Sequence, residues 1–156
     1  SAIKTERHFE IVTEVMQWAC DLGGKNGVTI AAENTLSAED TQRLVSDVNR
    51  SNFKIYFDFQ NYYLHKSYHT PDLLDTLISH VVELHVKDGK NSDLSGALLG
   101  EGDVSFSESM EVLRKHDYSG WIVTENYYDV APLCGEEDNP AELIKKDLST
   151  LKKALS

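Results

Sequence analysis

Val81-Val82-Glu83-Leu84-His85-Val86-Lys87-Asp88 is the stretch on which the fold turns. β-branched and apolar residues dominate from Val81 to Val86, which reads as a strand, and the charged pair Lys87-Asp88 marks its C-terminal end. Upstream, Thr70-Pro71 supplies an N-cap and first-turn pair for a helix carrying Leu73, Leu74, Leu77 and Ile78. Downstream, a long Gly-containing loop runs to about Asp103. Ser105 and Glu108 then have capping-box spacing for a helix through Lys115. Gly120 leads into a further strand from Trp121 to Thr124.

The same unit repeats on both sides. A helix from about Glu6 to Leu22 places Ile11, Val12, Val15, Met16, Ala19 and Leu22 on one face, and Gly23-Gly24 stops it. Val28 to Ala32 reads as a buried strand. Ser37 with Asp40 starts a helix carrying Leu44, Val45 and Val48, and Phe53 to Phe57 is the next strand. Asn139-Pro140 opens a last helix, predicted to bury Ile144, Leu148, Leu151 and Leu155. The order α-β-α-β-α-β-α-β-α implies βαβ units and a parallel sheet. The apolar strands predict a sheet covered on both faces. Two architectures fit: a small doubly wound sheet, or part of a (β/α) barrel.

Composition narrows the function. The 156 residues carry 26 acidic and 15 basic side chains, a formal charge of −11, which argues against non-specific nucleic-acid binding. No apolar run approaches the ~20 residues of a membrane span, and no leader-like segment opens the chain. Cys20 and Cys134 form neither a disulfide framework nor a CxxC site, so a reducing cytoplasm is expected.

Glu33 and Asp58 follow the first two strands, His85 lies near the end of the third, and Glu125 ends the fourth. In a parallel sheet all four strand ends lie on one edge, where ligands bind in both architectures. Each residue alone has an ordinary explanation as a cap, a turn residue or a buried histidine. The recurrence of a ligand-type residue at the same place in all four units points instead to a divalent cation. Oxygen-rich ligation with one nitrogen suits Mn²⁺ or Mg²⁺ first, with Zn²⁺, Co²⁺ and Fe²⁺ as further candidates. Without a metal, crowding of three carboxylates predicts at least one raised pKa.

The strings VTIAAEN (28–34), YFDFQN (56–61), ELHVKD (83–88), LLGEGDVSF (98–106) and GWIVTE (120–125), in this order, resemble the C-terminal half of xylose-isomerase-like TIM barrels. These include sugar and sugar-phosphate isomerases and epimerases, hydroxypyruvate isomerases and inosose dehydratases. The resemblance implies an α/β fold of four βα units, strands five to eight of a (β/α)8 barrel. Residues 1–156 would form one partial domain, the second half of a roughly 250-residue barrel. The chain opens on the helix before the fifth strand and lacks an initiating methionine.

The resemblance also assigns roles. Glu33, Asp58, His85 and Glu125 match the positions that hold one metal. In the epimerase branch, Glu33 and Glu125 would also be an acid/base pair: one removes the proton α to a ketose carbonyl and the other returns a proton on the opposite face, through an enediolate. Lys87 and Asp88 would shape the rim and meet substrate, and Gly100-Glu101-Gly102-Asp103 would be a tight turn. Many relatives carry D-x-x-H after the second strand. Here Asn61 stands in place of that histidine, able to bond a hydroxyl but not to shuttle protons near neutral pH. His65 in the following segment is a further candidate substrate contact. The related apurinic endonucleases need extra histidines, and no Asp-Arg-His string follows Asp88.

The expected function is therefore a metal-dependent isomerase or epimerase acting on a small sugar or sugar phosphate in carbohydrate metabolism. The alternatives are a dehydratase of polyol ketones in the same family, or an inactive half barrel that binds a cation or partner without turnover. Half a barrel leaves open sheet edges, so a homodimer or higher oligomer that covers them is expected.

Overall fold

The computed structural model describes residues 3–66, 68–90, 95–136 and 139–156, with the side chains of 65 and 66 excepted. Helix α1 (Glu6–Gly24) starts at Thr5, whose hydroxyl accepts the His8 N–H at 3.2 Å. Strand β1 (Ile30–Glu33) leads to α2 (Ala38–Val48), capped by Ser37 as its sequence predicts. Strand β2 (Phe53–Asp58) is followed at once by a short helix, α3 (Phe59–Lys66), and then by α4 (Thr70–Leu77). A 3₁₀ turn at Ile78–His80 connects to β3 (Val81–Val86). Helix α5 (Phe106–Lys115), strand β4 (Trp121–Thr124), a 3₁₀ turn at Leu133–Gly135 and α6 (Pro140–Leu155) complete the order.

The four strands form one parallel sheet in the order β1-β2-β3-β4. Alternation assigns the residues of each strand to two faces. Ile55, Phe57, Leu84 and Val86 are buried in one cluster with Leu74 and Leu77 of α4 and Met110 and Leu113 of α5. The opposite face carries Lys54, Tyr56, Asp58, Glu83, His85 and Trp121. Register aligns these residues in rows: Glu33, Tyr56, Glu83 and Trp121 in one, Asp58, His85 and Val123 in the next. The strands thus alternate rather than run apolar throughout. Among the described residues helices cover one face, and Trp121 on the other is 78% exposed. This corrects the expectation of a doubly covered sheet.

Four local expectations also change. Thr70 does not cap α4. His69 holds that position, and the buried Thr70 hydroxyl donates instead to the Phe59 carbonyl at 3.1 Å. Ser105 makes no side-chain cap for α5 because its backbone is left-handed (φ 56°), and Glu108 pairs with His69 Nε2 at 3.3 Å rather than closing a capping box. Helix α6 buries Leu143, Asp147 and Leu151, while Ile144, Leu148 and Leu155 are exposed. The helix is rotated by one residue because Asp147 is drawn inward by three hydrogen bonds. On α1, Phe9 and Cys20 are buried, whereas Ile11, Val15, Trp18 and Leu22 form an exposed stripe.

Helix α3 is an element the sequence reading missed. Its signal is the spacing of Phe59 and Tyr62, both fully buried, which stack on Phe57 with ring centroids 6.1 and 4.6 Å away. Asp58 starts the helix, accepting the Asn61 N–H on Oδ1 at 2.7 Å, the contact an N-cap makes.

Candidate metal centre

Glu33 and Asp58 are the last residues of their strands, His85 is the penultimate residue of β3, and Glu125 directly follows β4. The Glu125 N–H extends the ladder by donating to the Val86 carbonyl at 3.0 Å. Parallel pairing therefore brings the four side chains to one edge. His85 Nδ1 is their hub: Glu33 Oε1 lies 3.7 Å away, Asp58 Oδ2 3.6 Å and Glu125 Oε2 3.4 Å. The ligand atoms of Glu33, Asp58 and His85 all fall within 4.8 Å of one another. Tyr56, beneath the histidine, stacks on its ring at 4.1 Å and limits its orientation.

Two atoms test whether this set fits a cation. His85 Nδ1 and Asp58 Oδ2 are buried, and neither has a hydrogen-bond partner. Buried polar atoms are normally satisfied. An imidazole nitrogen without a partner, facing three carboxylate oxygens within 3.7 Å, is a donor set that a divalent ion would complete, so the residues present fit one.

Lys87 is the unexpected member. Its side chain is 3% exposed, and Nζ lies 2.6 Å from Glu125 Oε2 and 2.8 Å from Asp58 Oδ2. The first contact is an aligned hydrogen bond. The second is close enough to pair in charge, but Asp58 Oδ2 lacks hydrogen-bond alignment. Burial works against the ammonium, yet its contacts with Asp58 and Glu125 outweigh that and raise its pKa. Asp58 is also raised from its ordinary value, chiefly by burial, while Lys87 and the Asn61 N–H pull the other way and Glu125 adds a smaller push upward. One raised carboxylate was expected from crowding, but desolvation is its leading cause.

The remaining candidates divide. Asn61 sits on the first turn of α3, and its Nδ2 donates to Glu33 Oε1 at 2.9 Å, fixing that carboxylate. The His65 side chain lies outside the described residues. Asp88 is fully buried and does not serve the rim as expected. Its two oxygens accept backbone N–H groups from Gly89, Gly100, Gly102 and Val104 at 2.9 to 3.3 Å. The Gly100–Asp103 turn is thus folded around Asp88. Burial raises the Asp88 pKa, and the four N–H groups oppose that rise.

A polar network behind the centre was not foreseen. Asn126, next to Glu125, accepts the Asp88 N–H at 3.0 Å and donates to the Ala97 carbonyl at 2.9 Å and to Asp147 Oδ2 at 2.7 Å. Asp147 also accepts from Tyr128 Oη at 2.8 Å and from the Leu99 N–H at 2.8 Å. The sequence held one clue: Asp147 stands four residues from both Leu143 and Leu151, in a buried helical register. Of the tyrosines beside the strand ends, Tyr62 and Tyr128 are buried and serve packing and this network.

Parallel βα units that present carboxylates and an imidazole at the C-terminal edge of their sheet fit part of a TIM-barrel scaffold. The chain belongs to the xylose isomerase-like TIM barrel family, whose model matches residues 2–154. Over 68 residues, 44% of this chain, it is 35% identical to the L-ribulose-5-phosphate 3-epimerase UlaE of Shigella boydii, a segment covering 22% of that enzyme. Its fold matches a D-allulose 3-epimerase from Methylomonas sp. with a TM-score of 0.80 at 18% identity, over 99% of this chain and 58% of that one. A xylose isomerase domain protein from Planctomyces limnophilus matches with a TM-score of 0.80 at 19% identity, over 99% of this chain and 55% of that one. The chain therefore spans little more than half of these solved structures. It has the fold of four βα units of a TIM barrel, as its motifs imply, rather than a doubly wound sheet.

Both cysteines are free. Among the described residues, no helix is long and apolar enough to cross a membrane.

Proposed function

We propose that residues 1–156 form one partial domain of a metal-dependent sugar or sugar-phosphate isomerase or epimerase, acting in the cytoplasm. The observation that carries this reading is the approach of two glutamates to one imidazole from opposite sides. Glu33 ends β1 and Glu125 follows β4, the two outer strands, yet both carboxylates lie within 3.7 Å of His85 Nδ1. Two bases on opposite sides of a bound ketose are what inversion at the carbon α to its carbonyl requires.

In this reading one glutamate removes the α-proton and the other returns a proton to the opposite face, through an enediolate. Asn61 holds Glu33 toward the crevice and leaves its own carbonyl for a substrate hydroxyl, with His65 as a second contact. Asp58 and His85 hold the metal together with Glu33 and Glu125. Mn²⁺ or Mg²⁺ suits this donor set first, and Zn²⁺, Co²⁺ or Fe²⁺ second. Such an ion, when bound, polarises the carbonyl and hydroxyl oxygens and stabilises developing negative charge.

The test is calorimetric titration of Mn²⁺ into the wild type and His85→Ala, followed by NMR of a panel of ketoses and ketose phosphates in D₂O. The reading expects binding that is lost in the variant, and α-proton exchange without loss of water. Equal, negligible binding by both proteins would overturn the metal centre. Exchange accompanied by dehydration would move the reaction to the lyase branch.

A further inference from the structure

We infer that Gln60 and Ser95 form a positioning bridge that fixes the Glu125 main chain against the helix that Asp58 starts, and so sets the spacing of these two carboxylates across His85. This rests on the metal centre proposed above, and neither Gln60 nor Ser95 is a member of that centre.

Gln60 lies on the first turn of α3, two residues after Asp58, and is fully buried. A glutamine is costly to enclose unless its amide is bonded. Its Oε1 accepts the Ser95 N–H at 2.7 Å. Ser95, itself buried, donates its hydroxyl to the Glu125 carbonyl at 3.3 Å. These two bonds run from the helix after β2 to the residue after β4. The Glu125 N–H is already held by the Val86 carbonyl, so both main-chain polar groups of Glu125 are engaged. Beside it, Asn126 Nδ2 donates to the Ala97 carbonyl at 2.9 Å and fastens the same stretch of loop a second time.

The Ser95 backbone is an independent sign. Its φ is 55°, in the left-handed region that disfavours any residue with a side chain. Such a conformation persists only where the surrounding contacts over-determine it, and it clusters at functional sites. Glycine would adopt it without strain, but glycine has no hydroxyl for the Glu125 carbonyl. The two carboxylates at the ends of the bridge face His85 Nδ1 at 3.6 Å from Asp58 and 3.4 Å from Glu125. A metal holds its ligands within about 0.2 Å of their ordinary distances, so a carboxylate whose main chain drifts is a weaker ligand.

The experiment sets Mn²⁺ affinity, read by calorimetry, against stability, read by urea unfolding. It compares the wild type with Gln60→Met, Ser95→Ala, Ser95→Gly and Thr70→Val. Gln60→Met and both Ser95 variants should weaken Mn²⁺ binding about tenfold, as loss of a partner that orients a ligand does. Ser95→Gly should unfold at a higher urea concentration than Ser95→Ala, because glycine relieves the backbone, yet bind Mn²⁺ no better. Thr70→Val removes another buried tie on α3, the bond to the Phe59 carbonyl, and should lose stability while keeping its affinity. Affinity that follows stability across the set, or that recovers in Ser95→Gly, overturns the bridge and leaves the metal centre intact. Wild-type affinity in all the variants does the same. If Gln60→Met does not fold, the two Ser95 variants decide. Absence of Mn²⁺ binding in the wild type overturns the metal centre and the bridge with it.

Discussion

Gly102 and Asp88 are in contact that admits no side chain. The Gly102 N–H donates to Asp88 Oδ2 at 3.1 Å, and a Cβ on Gly102 would enter the Asp88 carboxylate and press on the Gly89 N–H. Gly102→Ala should therefore destabilise the chain by about 2–4 kcal/mol, through displacement of a carboxylate that ties the Gly100–Val104 turn to the end of β3. Gly100→Ala should cost less, about 1–2 kcal/mol, because its φ of 83° strains a side chain while only Phe106 lies nearby. Urea unfolding of both variants measures the order. An equal or reversed ranking would show that Asp88 does not organise the turn.

The raised Asp58 carboxyl makes stability depend on pH in a definite direction. The folded state holds this proton more tightly than an unfolded chain with an ordinary value of 3.8. The contribution is therefore complete below 3.8 and is lost as pH rises through the folded value. Asp58→Asn removes the effect, and the similar contribution of Asp88 cancels because both proteins contain it. In a metal-free buffer the wild type should lose stability relative to Asp58→Asn as pH rises above the ordinary value of 3.8. Saturating Mn²⁺ should reverse the slope, because metal binding requires the carboxylate. Unfolding curves at several pH values test both arms, and a metal-free slope of the opposite sign would refute the assignment.

Asp147 should be among the most sensitive positions outside the strand ends. Asp147→Ala leaves the Leu99 N–H, the Asn126 amide and the Tyr128 hydroxyl without their acceptor, at a cost of about 3–5 kcal/mol. Asp147→Asn should recover less than half of that loss. Its NH₂ group must face either the Leu99 N–H or the pair of donors from Asn126 and Tyr128. Chemical denaturation measures the ranking, and full recovery by asparagine would mean that charge and donor count do not matter here.

These positions show how far the sequence was legible. Strands β3 and β4 were read to the residue, and the four strand-end residues converge where the alternation of elements placed them. Such features are written locally, in β-branched runs and a repeated unit. The role of Asp88 is not legible locally, because HVKD places it beside a strand-end histidine, whereas three of its partners are N–H groups 12 to 16 residues downstream. Lys87 looked like a rim residue, and only the close approach of β2, β3 and the end of β4 shows that it is enclosed. The face buried by α6 was misjudged because apolar periodicity favoured Ile144, Leu148 and Leu155. A carboxylate with three distant donors outweighs that pattern.

The edges of the sheet carry the last prediction. β1 and β4 are its outer strands, and each is flanked by exposed apolar side chains. On one side stand Ile11, Val15, Trp18 and Leu22 of α1. On the other stand Ile144 and Leu148 of α6 with Trp121 and Val123 of β4. Unpaired strand edges beside apolar surface of this kind promote association. The chain should therefore form a homodimer or higher oligomer that covers both edges. The two tryptophans are natural reporters: Trp18 is 67% and Trp121 78% exposed in the single chain, one near each edge. Light scattering should show mass rising with concentration, and tryptophan emission should shift to the blue in step. Trp18→Glu and Leu148→Glu should each move the equilibrium toward the single chain while leaving its unfolding midpoint nearly unchanged, because neither side chain belongs to the buried core. A monomer whose emission stays red at all concentrations would show that these faces do not associate.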